Sequence, residues 1–174
     1  KIFNQSVNQK GVNSPAEALD FLNNEVYNTV NKHSEDDNII RDGMDVALCS
    51  INFKTLKLTF SGANNPVYII RDKHLHEIKG DKNPIGSYES DHLFTDKEYQ
   101  LEKDDMIYIF SDGYVDQFGG AKGKKFKSRA FRELLLSIQD KKMEQQKIII
   151  DEVFDAWRGS LEQIDDVCVI GVKV

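Results

Sequence analysis

The chain has 174 residues, enough for one domain with a hydrophobic core. Hydrophobic residues make up 40% and charged residues 30%, a balance typical of a folded domain and not of a disordered segment. The net charge of -6 argues against a nucleic-acid partner, whose phosphates need a basic face, and against an anionic membrane surface.

The first predicted element is an amphipathic helix that begins at Ser14 and ends near Asn31. Ser14 can cap the helix, Pro15 suits its first position, and Glu17 completes a capping box. Apolar residues then recur at helical spacing. We predict that the polar segment 33–42, which follows, is a solvated loop that ends in an Asp42-Gly43 turn.

From Met44 the apolar period changes to two residues, which is typical of strands. Strands that lie this close in sequence pair antiparallel. The predicted strands are 44–51, 56–60, 67–70, 75–78, 99–101 and 106–110. Segment 79–96 is predicted to be a long loop, and segment 119–125 a flexible basic loop.

Two helices and a last strand complete the predicted elements. The helices are marked by apolar residues between Phe131 and Ile138 and between Ile148 and Trp157, and Gly159 ends the second one. The last strand is predicted at 167–172. An order of helix, antiparallel strands, helices and strand predicts a layered α+β domain.

The two cysteines, Cys49 and Cys168, each lie in an apolar run, and we interpret both as small buried residues in a reducing compartment. The sequence contains no Cys/His spacing typical of a metal site and no apolar run long enough to span a bilayer. We therefore expect a cytoplasmic domain. Because the chain begins at Lys1, we expect it to be a fragment of a longer protein, which upstream segments could attach to a membrane.

The candidate site consists of two acidic motifs at strand ends. Asp112 follows the apolar strand 106–110 within Ser-Asp-Gly, and Asp165-Asp166 directly precedes the last strand. Carboxylates on rigid strand ends supply the oxygen ligands that a hard divalent cation needs. Each motif alone is weak, because Asp-Gly after a strand is more often only a turn.

Four segments occur in an informative order: Ser-Gly-Ala-Asn-Asn-Pro at 61–66, Asn-Pro-Ile-Gly at 83–86, Ser-Asp-Gly-Tyr-Val-Asp at 111–116 and Asp-Asp-Val-Cys-Val at 165–169. In this order they resemble the SpoIIE/RsbU-type branch of the metal-dependent PPM (PP2C-like) protein serine/threonine phosphatases. The resemblance implies a PP2C-like αββα sandwich of two antiparallel sheets flanked by helices. It also implies that residues 1–174 are a single domain, the C-terminal portion of the full phosphatase domain.

The resemblance further implies a site with two Mn²⁺ or Mg²⁺ ions, which activate a water for direct attack on phosphoserine or phosphothreonine. Asp112 and Asp165 match metal ligands of the family, and Asp116 matches a position that holds a weaker additional metal in some relatives. Magnesium and manganese prefer such oxygen ligands, so no histidine or cysteine nucleophile is required.

One departure from the family concerns its upstream Asp-Gly motif, which supplies the carboxylate that bridges the two metals. Residues 1–11 contain no acidic residue, and Asp42-Gly43 is most simply a turn in the wrong place in the family order. We therefore expect a partial metal site with weak Mn²⁺ binding. We also expect uncovered sheet edges that favour a homodimer or strand exchange.

The first functional hypothesis is a bacterial signalling phosphatase that acts on a phosphorylated anti-sigma-factor antagonist, a STAS-type domain, with a sensor module upstream. The alternative is a catalytically inactive, phosphatase-like module that binds a protein. A third is an unrelated α+β domain whose acidic turns are only turns. The lysines at 122, 124, 125 and 127 could contact a phosphorylated or acidic partner, or could be only a solvated face.

Overall fold

The computed structural model describes residues 12–31, 43–87 and 89–174. The chain divides into two compact units, one formed by Lys1–Val67 with Ile78–Leu101 and the other by Tyr68–Glu77 with Glu102–Val174. No helix in these three ranges is long and apolar enough to cross a membrane. A single domain over residues 1–174 stays a prediction.

The elements follow the predicted order of helix, strands, helices and strand. They are α1 (Pro15–Asn31), β1 (Val46–Asn52), β2 (Lys57–Ala63), β3 (Val67–Arg71), β4 (His74–Ile78), β5 (Lys97–Gln100), β6 (Met106–Phe110), α2 (Gly113–Asp116), β7 (Phe118–Gly119), β8 (Lys124–Lys125), α3 (Lys127–Ser137), α4 (Met143–Arg158) and β9 (Val169–Lys173).

The first unit contains helix α1 and a three-stranded sheet. The strand order is β1-β2-β5, and both pairs are antiparallel, with Val46 opposite Ala63 and Lys57 opposite Gln100. Helix α1 packs on β1 and β2. Burial of one apolar face of helix and sheet drives this packing. One cluster of buried residues in this unit consists of Ala16, Leu19, Ala63, Ile85 and Phe94.

The start of α1 confirms the predicted cap. The Glu17 amide donates to the Ser14 hydroxyl at 3.3 Å, and the Glu17 carboxylate accepts the Asn13 amide at 2.8 Å. The reciprocal arm of the capping box therefore reaches one residue further upstream than the pattern predicts. The Asp96 carboxylate accepts the Ala16 amide, so a distant side chain satisfies another free amide of the first turn.

The second unit contains a four-stranded sheet of order β4-β3-β6-β9, together with α2, α3, α4 and the small β7–β8 pair. Strands β6 and β9 pair antiparallel, with Met106 opposite Lys173 and Phe110 opposite Val169. The core is rich in aromatic rings whose centroids lie 4.8–5.3 Å apart. They belong to Tyr68, Phe110, Tyr114, Phe126, Phe131 and Phe154.

Three local predictions are wrong. Segment 119–125 is not a simple loop, because β7 and β8 pair there, with Phe118 opposite Lys125 and Gly119 opposite Lys124. The last strand begins at Val169 and not at residue 167. The cysteines are not fully buried, since Cys168 is exposed and Cys49 is intermediate. Cys49 lies on β1 and Cys168 lies directly before β9. Burial still raises the pKa of the Cys49 thiol to about 12.

Candidate active site

Ser111 connects the two acidic motifs. Its hydroxyl donates to the carbonyl of Asp166 at 2.8 Å and accepts the amide of Cys168 at 2.9 Å, while its own amide donates to the Cys168 carbonyl at 3.0 Å. These bonds continue the β6–β9 ladder beyond its last paired residues. The segment after Phe110 and the segment before Val169 are therefore held side by side.

Gly113 allows the two segments to approach closely. A Cβ atom at this position would lie 2.4 Å from the carbonyl oxygen of Asp166 and 3.4 Å from the carbonyl carbon of Asp165. Real Cβ atoms do not come this near to a carbonyl oxygen, so only glycine fits here without a shift of the backbone. The Asp-Gly turn at Asp112-Gly113 thus lies directly against the Asp165–Asp166 peptide.

Asp112 and Asp165 are both exposed at this junction. Asp112 is the N-cap residue of the one-turn helix α2, and its carbonyl accepts the amide of Asp116 at 2.9 Å. The Asp165 carboxylate accepts the amide of Asp166 at 2.7 Å, and its carbonyl accepts the side-chain amide of Gln163 at 2.8 Å. The structure therefore brings these two predicted site residues to the same end of the β6–β9 pair.

Asp116, the third predicted residue, forms an ion pair with a lysine of β8. Its carboxylate lies 2.8 Å from the Lys125 ammonium, and the two side chains are each 43% exposed. At this exposure the attraction is screened by water. The pair nevertheless places a positive charge within one helical turn of Asp112.

Gln117 links the short helix to the approach to the last strand. It is fully buried, and its side-chain amide donates to the carbonyl of Glu162 at 2.9 Å. Its side-chain oxygen accepts the amide of Ile164 at 3.4 Å. A buried amide with several partners fixes the backbone around it. Gln117 thus positions the chain just before Asp165.

The chemistry of this donor set suits a hard divalent cation, because it offers exposed carboxylate oxygens at rigid strand ends. The set is small, however. Across residues 12–31, 43–87 and 89–174, no group of three or more His, Cys, Asp or Glu side chains is placed to hold a metal ion. Among the described residues, Asp112 and Asp165 are the candidate ligands that the sequence predicts. The Asp42 part of the Asp42-Gly43 turn lies outside these ranges.

The Asn-Asn-Pro segment that precedes β3 forms a hydrogen-bonded turn. Asn64 has a left-handed backbone with φ of 58°, and its side-chain amide donates to the Asp45 carboxylate at 2.7 Å. Its backbone amide donates to the Asp81 carbonyl at 2.8 Å. Asparagine tolerates this conformation better than most residues. These contacts give the segment a structural role as a turn between β2 and β3.

The Asn-Pro-Ile-Gly segment fastens the long loop to α1. Ile85 is fully buried and exchanges backbone hydrogen bonds with Met44. The amide of Gly86 donates to the side chain of Asn23 at 2.8 Å, and Asn23 is itself fully buried. A Cβ on Gly86 would lie 2.5 Å from a methyl carbon of Val26. The segment therefore has a structural role in the first unit.

A groove of about 630 Å³ lies in the second unit between α4 and β9. Its walls include Tyr114, Ile150 and Val169, with Asp151 and Lys147 as charged members. Burial raises the pKa of the Tyr114 hydroxyl above its usual range, and the negative charge of Asp151 adds to this. Asp112, Asp116 and Asp165 do not line the groove. The exposed acidic junction is therefore separate from this groove.

Sequence reasoning missed Gln117 and the specific roles of Ser111, Gly113 and Lys125. A hydrophilic residue at 117, between an apolar helix and a glycine pair, gives little signal by itself. Ser111 and Gly113 were visible only as parts of a turn. Their contacts depend on which residues of β9 pair with β6, which the sequence does not specify.

The fold is similar to that of solved phosphatase domains. The SiaA-PP2C domain of Pseudomonas aeruginosa superposes with a TM-score of 0.83 at 22% identity, over 99% of this chain and 66% of that one. The RsbU and RsbW domains of a Mycobacterium tuberculosis protein give a TM-score of 0.72 at 16% identity, over 99% of this chain and 44% of that one.

The phosphatase domain of SpoIIE from Bacillus subtilis gives a TM-score of 0.55 at 12% identity, over 98% of this chain and 70% of that one. The chain thus spans about two thirds or less of the SiaA and Mycobacterium chains. No curated protein sequence matches it significantly. These likenesses confirm the prediction of a PP2C-like α+β fold with antiparallel sheets and helices.

A family comparison extends the likeness from fold to sequence. The family described as Stage II sporulation protein E (SpoIIE) matches residues 3–174, which is nearly the whole chain. The match includes all four segments that carry the resemblance, from 61–66 to 165–169. The chain therefore belongs to the SpoIIE family, whose solved members have the PP2C phosphatase fold.

Proposed function

We propose that this chain belongs to a metal-dependent protein serine/threonine phosphatase, which hydrolyses phosphoserine or phosphothreonine in a protein substrate. The observation that supports the proposal best is the junction of Gly113 with the Asp165–Asp166 peptide. It brings two carboxylates, more than fifty residues apart in sequence, to one end of a strand pair. PP2C-type phosphatases are metal-dependent as a family, and this chain belongs to a family with that fold.

In the proposed mechanism Asp112 and Asp165 would hold Mn²⁺ or Mg²⁺, two ions being expected in the intact domain. When bound, such ions acidify a water and neutralise phosphate oxygens. Hydrolysis would form a bond from the water oxygen to phosphorus and break the bond from phosphorus to the serine or threonine oxygen, which would take up the proton that the water loses. No covalent enzyme intermediate forms. Ser111 keeps the two aspartates in register, and Asp116 contributes a weaker site nearby.

The physiological role that we propose follows the family resemblance. The substrate is a phosphorylated STAS-type anti-sigma-factor antagonist in bacterial signalling, and a sensor module lies upstream. We propose a cytoplasmic location for the phosphatase domain. We also propose that the chain as given self-associates through uncovered sheet edges, for which a dimeric mass by light scattering at micromolar concentration is the expected result.

The test is Mn²⁺-dependent hydrolysis of a phosphoserine peptide by this chain and by a version that is extended upstream. We expect activity that requires Mn²⁺, at least in the extended version, and its loss in Asp112→Asn. A folded extended protein without activity would contradict the proposal.

A second candidate, a catalytically inactive module that binds a protein, is favoured by one observation. Within the three described ranges the acidic side chains do not form a group of three metal ligands. This candidate predicts that the extended version folds and binds a phosphorylated STAS-type domain but leaves its phosphate in place. Mass spectrometry of the recovered partner, with and without Mn²⁺, separates the two functions.

A further inference from the structure

The charge of this chain is unevenly distributed. Residues 117–132 contain six basic residues and no acidic one, although the whole chain carries a net charge of -6. The segment begins directly after Asp116 and includes the β7–β8 pair and the first half of α3. A local positive surface on a negative protein attracts a negative partner and repels a positive one.

Carboxylates of the chain engage three of the six basic residues. Lys125 pairs with Asp116, Arg129 with Glu133, and Arg132 with Glu77. Arg132 also donates to the hydroxyl of Tyr68, so it belongs to the packed face of the sheet.

The other three, Lys122, Lys124 and Lys127, are exposed and have no ion pair within the part of the chain that the structure describes. We call them the lysine triad.

The lysine triad lies on and shortly after the β7–β8 hairpin, which contacts with Trp157 of α4 hold in place. The amide of Gly120 donates to the carbonyl of Trp157 at 2.8 Å, and the Trp157 indole donates to the carbonyl of Gln117 at 3.0 Å. A Cβ on Gly119 would lie 2.0 Å from the Trp157 carbonyl oxygen, so the β7 strand rests directly on α4. Because the hairpin is already held in place, little conformational entropy is lost when it binds a partner.

The hairpin is joined to the acidic junction through Lys125 and Asp116. The Lys125 ammonium lies 2.8 Å from Asp116 and 5.9 Å from the ring centre of Phe118, which is exposed. The amide of Asp116 is bonded to the carbonyl of Asp112. If a phosphorylated serine or threonine of the substrate binds at Asp112, the substrate residues on either side of it would therefore lie near the hairpin. Shortly after the hairpin, at the first residue of α3, Lys127 has a left-handed backbone with φ of 74°, a conformation that costs energy for lysine.

We propose that the β7–β8 hairpin and its lysine triad form a docking surface for the acidic residues that flank the phosphorylated serine or threonine of the protein substrate. The inference rests on the proposed phosphatase function and adds a substrate preference to it. Phe118 offers the flank an apolar contact beside the lysines. The position of the basic surface next to the acidic junction favours this partner over an anionic membrane.

The test compares two phosphoserine peptides of equal length, one with Glu and Asp around the phosphoserine and one with Ala. Calorimetry measures their affinity for this chain. We expect the acidic peptide to bind about tenfold more tightly, since three exposed charge pairs contribute modestly each. The variant K122E/K124E/K127E should reduce the preference to about one. If this variant does not fold, K122Q/K124Q/K127Q should reduce the preference less strongly.

The matched control is K54E/K82E/K103E, which changes the net charge equally through three other exposed lysines. Lys103 precedes β6, at the opposite end of that strand from Asp112, and the strand spans roughly 16 Å. The control should retain the tenfold preference. Equal loss in both variants would show that only net charge matters, and would overturn the proposal. Unchanged preference in the triad variant would overturn it as well.

Hydrolysis of the same peptides by the extended protein separates this inference from the proposed function. No hydrolysis of either peptide contradicts the phosphatase. Hydrolysis of both, with a ratio of kcat/KM that the triad variant does not change, contradicts only the docking surface. Sedimentation with phosphatidylserine vesicles tests the membrane instead. A triad variant that loses vesicle binding but keeps its peptide preference would replace the docking surface with a membrane contact.

Discussion

The hydroxyl of Ser111 donates a hydrogen bond of 2.8 Å to the backbone carbonyl of Asp166. The same oxygen accepts a hydrogen bond from the amide of Cys168. One side chain therefore makes two hydrogen bonds beyond the last paired residues of β6 and β9. Ser111→Ala should lower the free energy of unfolding by about 1–2 kcal/mol. It should also weaken Mn²⁺ binding, because Ser111 would no longer hold the backbone segments of Asp112 and Asp165 side by side.

Urea unfolding and calorimetric Mn²⁺ titration of Ser111→Ala measure both effects. The exposed Ser160, for which no comparable bond is found, provides the control Ser160→Ala. Equal stability and Mn²⁺ affinity of the two variants would contradict the role that we assign to Ser111.

Gly113 and Gly123 allow a direct comparison of two reasons why a position needs glycine, close packing and a left-handed backbone. Gly113→Ala would push a methyl group against the Asp166 carbonyl and should cost about 3 kcal/mol of stability. Gly123 has a left-handed backbone with φ of 55° but open space around it, so Gly123→Ala should cost only about 1 kcal/mol. Thermal unfolding measures the difference. A larger loss for Gly123→Ala would mean that the junction at Gly113 is loose.

The two acidic residues of the Ser-Asp-Gly-Tyr-Val-Asp segment should differ in importance. In the active, upstream-extended protein, Asp112→Asn should lower kcat by about 100-fold or more, because a neutral amide anchors a metal ion poorly. Asp116→Asn should lower it less, since Asp116 matches only the weaker site and already faces Lys125. Single-turnover rates at saturating Mn²⁺ measure both. Equal losses would contradict this ranking.

Arg71 contacts one buried and one exposed carboxylate. Its guanidinium bonds both oxygens of Asp105, which is 1% exposed, and one oxygen of Glu102, which is 66% exposed. Asp105→Asn should cost about 3 kcal/mol, because a partly buried charge loses its partner. Glu102→Gln should cost less than about 1 kcal/mol. Urea unfolding of both variants checks this, and similar costs would contradict the difference in burial.

Tyr108 should make stability fall at alkaline pH. Burial raises the pKa of its hydroxyl to about 12, against a hydrogen bond to Gln146 that lowers it. Below pH of about 10 the folded and unfolded chains both keep the proton, so this contribution is complete. Between pH of about 10 and 12 the unfolded chain loses its proton first, and stability declines.

Urea unfolding from pH 9 to pH 11.5 tests the role of Tyr108. Tyr108→Phe should show a shallower decline than the unmodified chain, although it is less stable at neutral pH because Gln146 loses a partner. The pKa of the Tyr114 hydroxyl is also raised, so Tyr114→Phe is a useful comparison. An identical pH slope in Tyr108→Phe would mean that folding does not raise the pKa of this hydroxyl.

Local patterns predicted much of this fold. The helix start at Ser14 and Pro15 and the strand at Met106–Phe110 depend on nearby residues, and both are confirmed. The β7–β8 hairpin was missed because glycine and lysine are typical of loops. Its order comes from Trp157, more than thirty residues further along the chain. The ion pair of Asp105 gives no local signal either, because its partner Arg71 is distant in sequence.

The candidate site was predicted in part. Carboxylates at strand ends were visible in the sequence, and the structure brings Asp112 and Asp165 to one end of the β6–β9 pair. Their roles as metal ligands, and that of Asp116, stay predictions. The junction itself required the register in which Phe110 lies opposite Val169. A shift of one residue would turn the neighbouring side chains to the other face, so the site depends on a pairing that no single motif encodes.

Trp157 is the only tryptophan of the chain, and it lies directly beneath the β7–β8 hairpin. Its indole nitrogen is bonded to Gln117, and its ring lies edge-on to Phe126, 5.3 Å between centroids. The intrinsic fluorescence of the protein is therefore a built-in optical probe of this one region. Excitation of the indole should report on events at the hairpin without any attached dye, against a background of tyrosines alone.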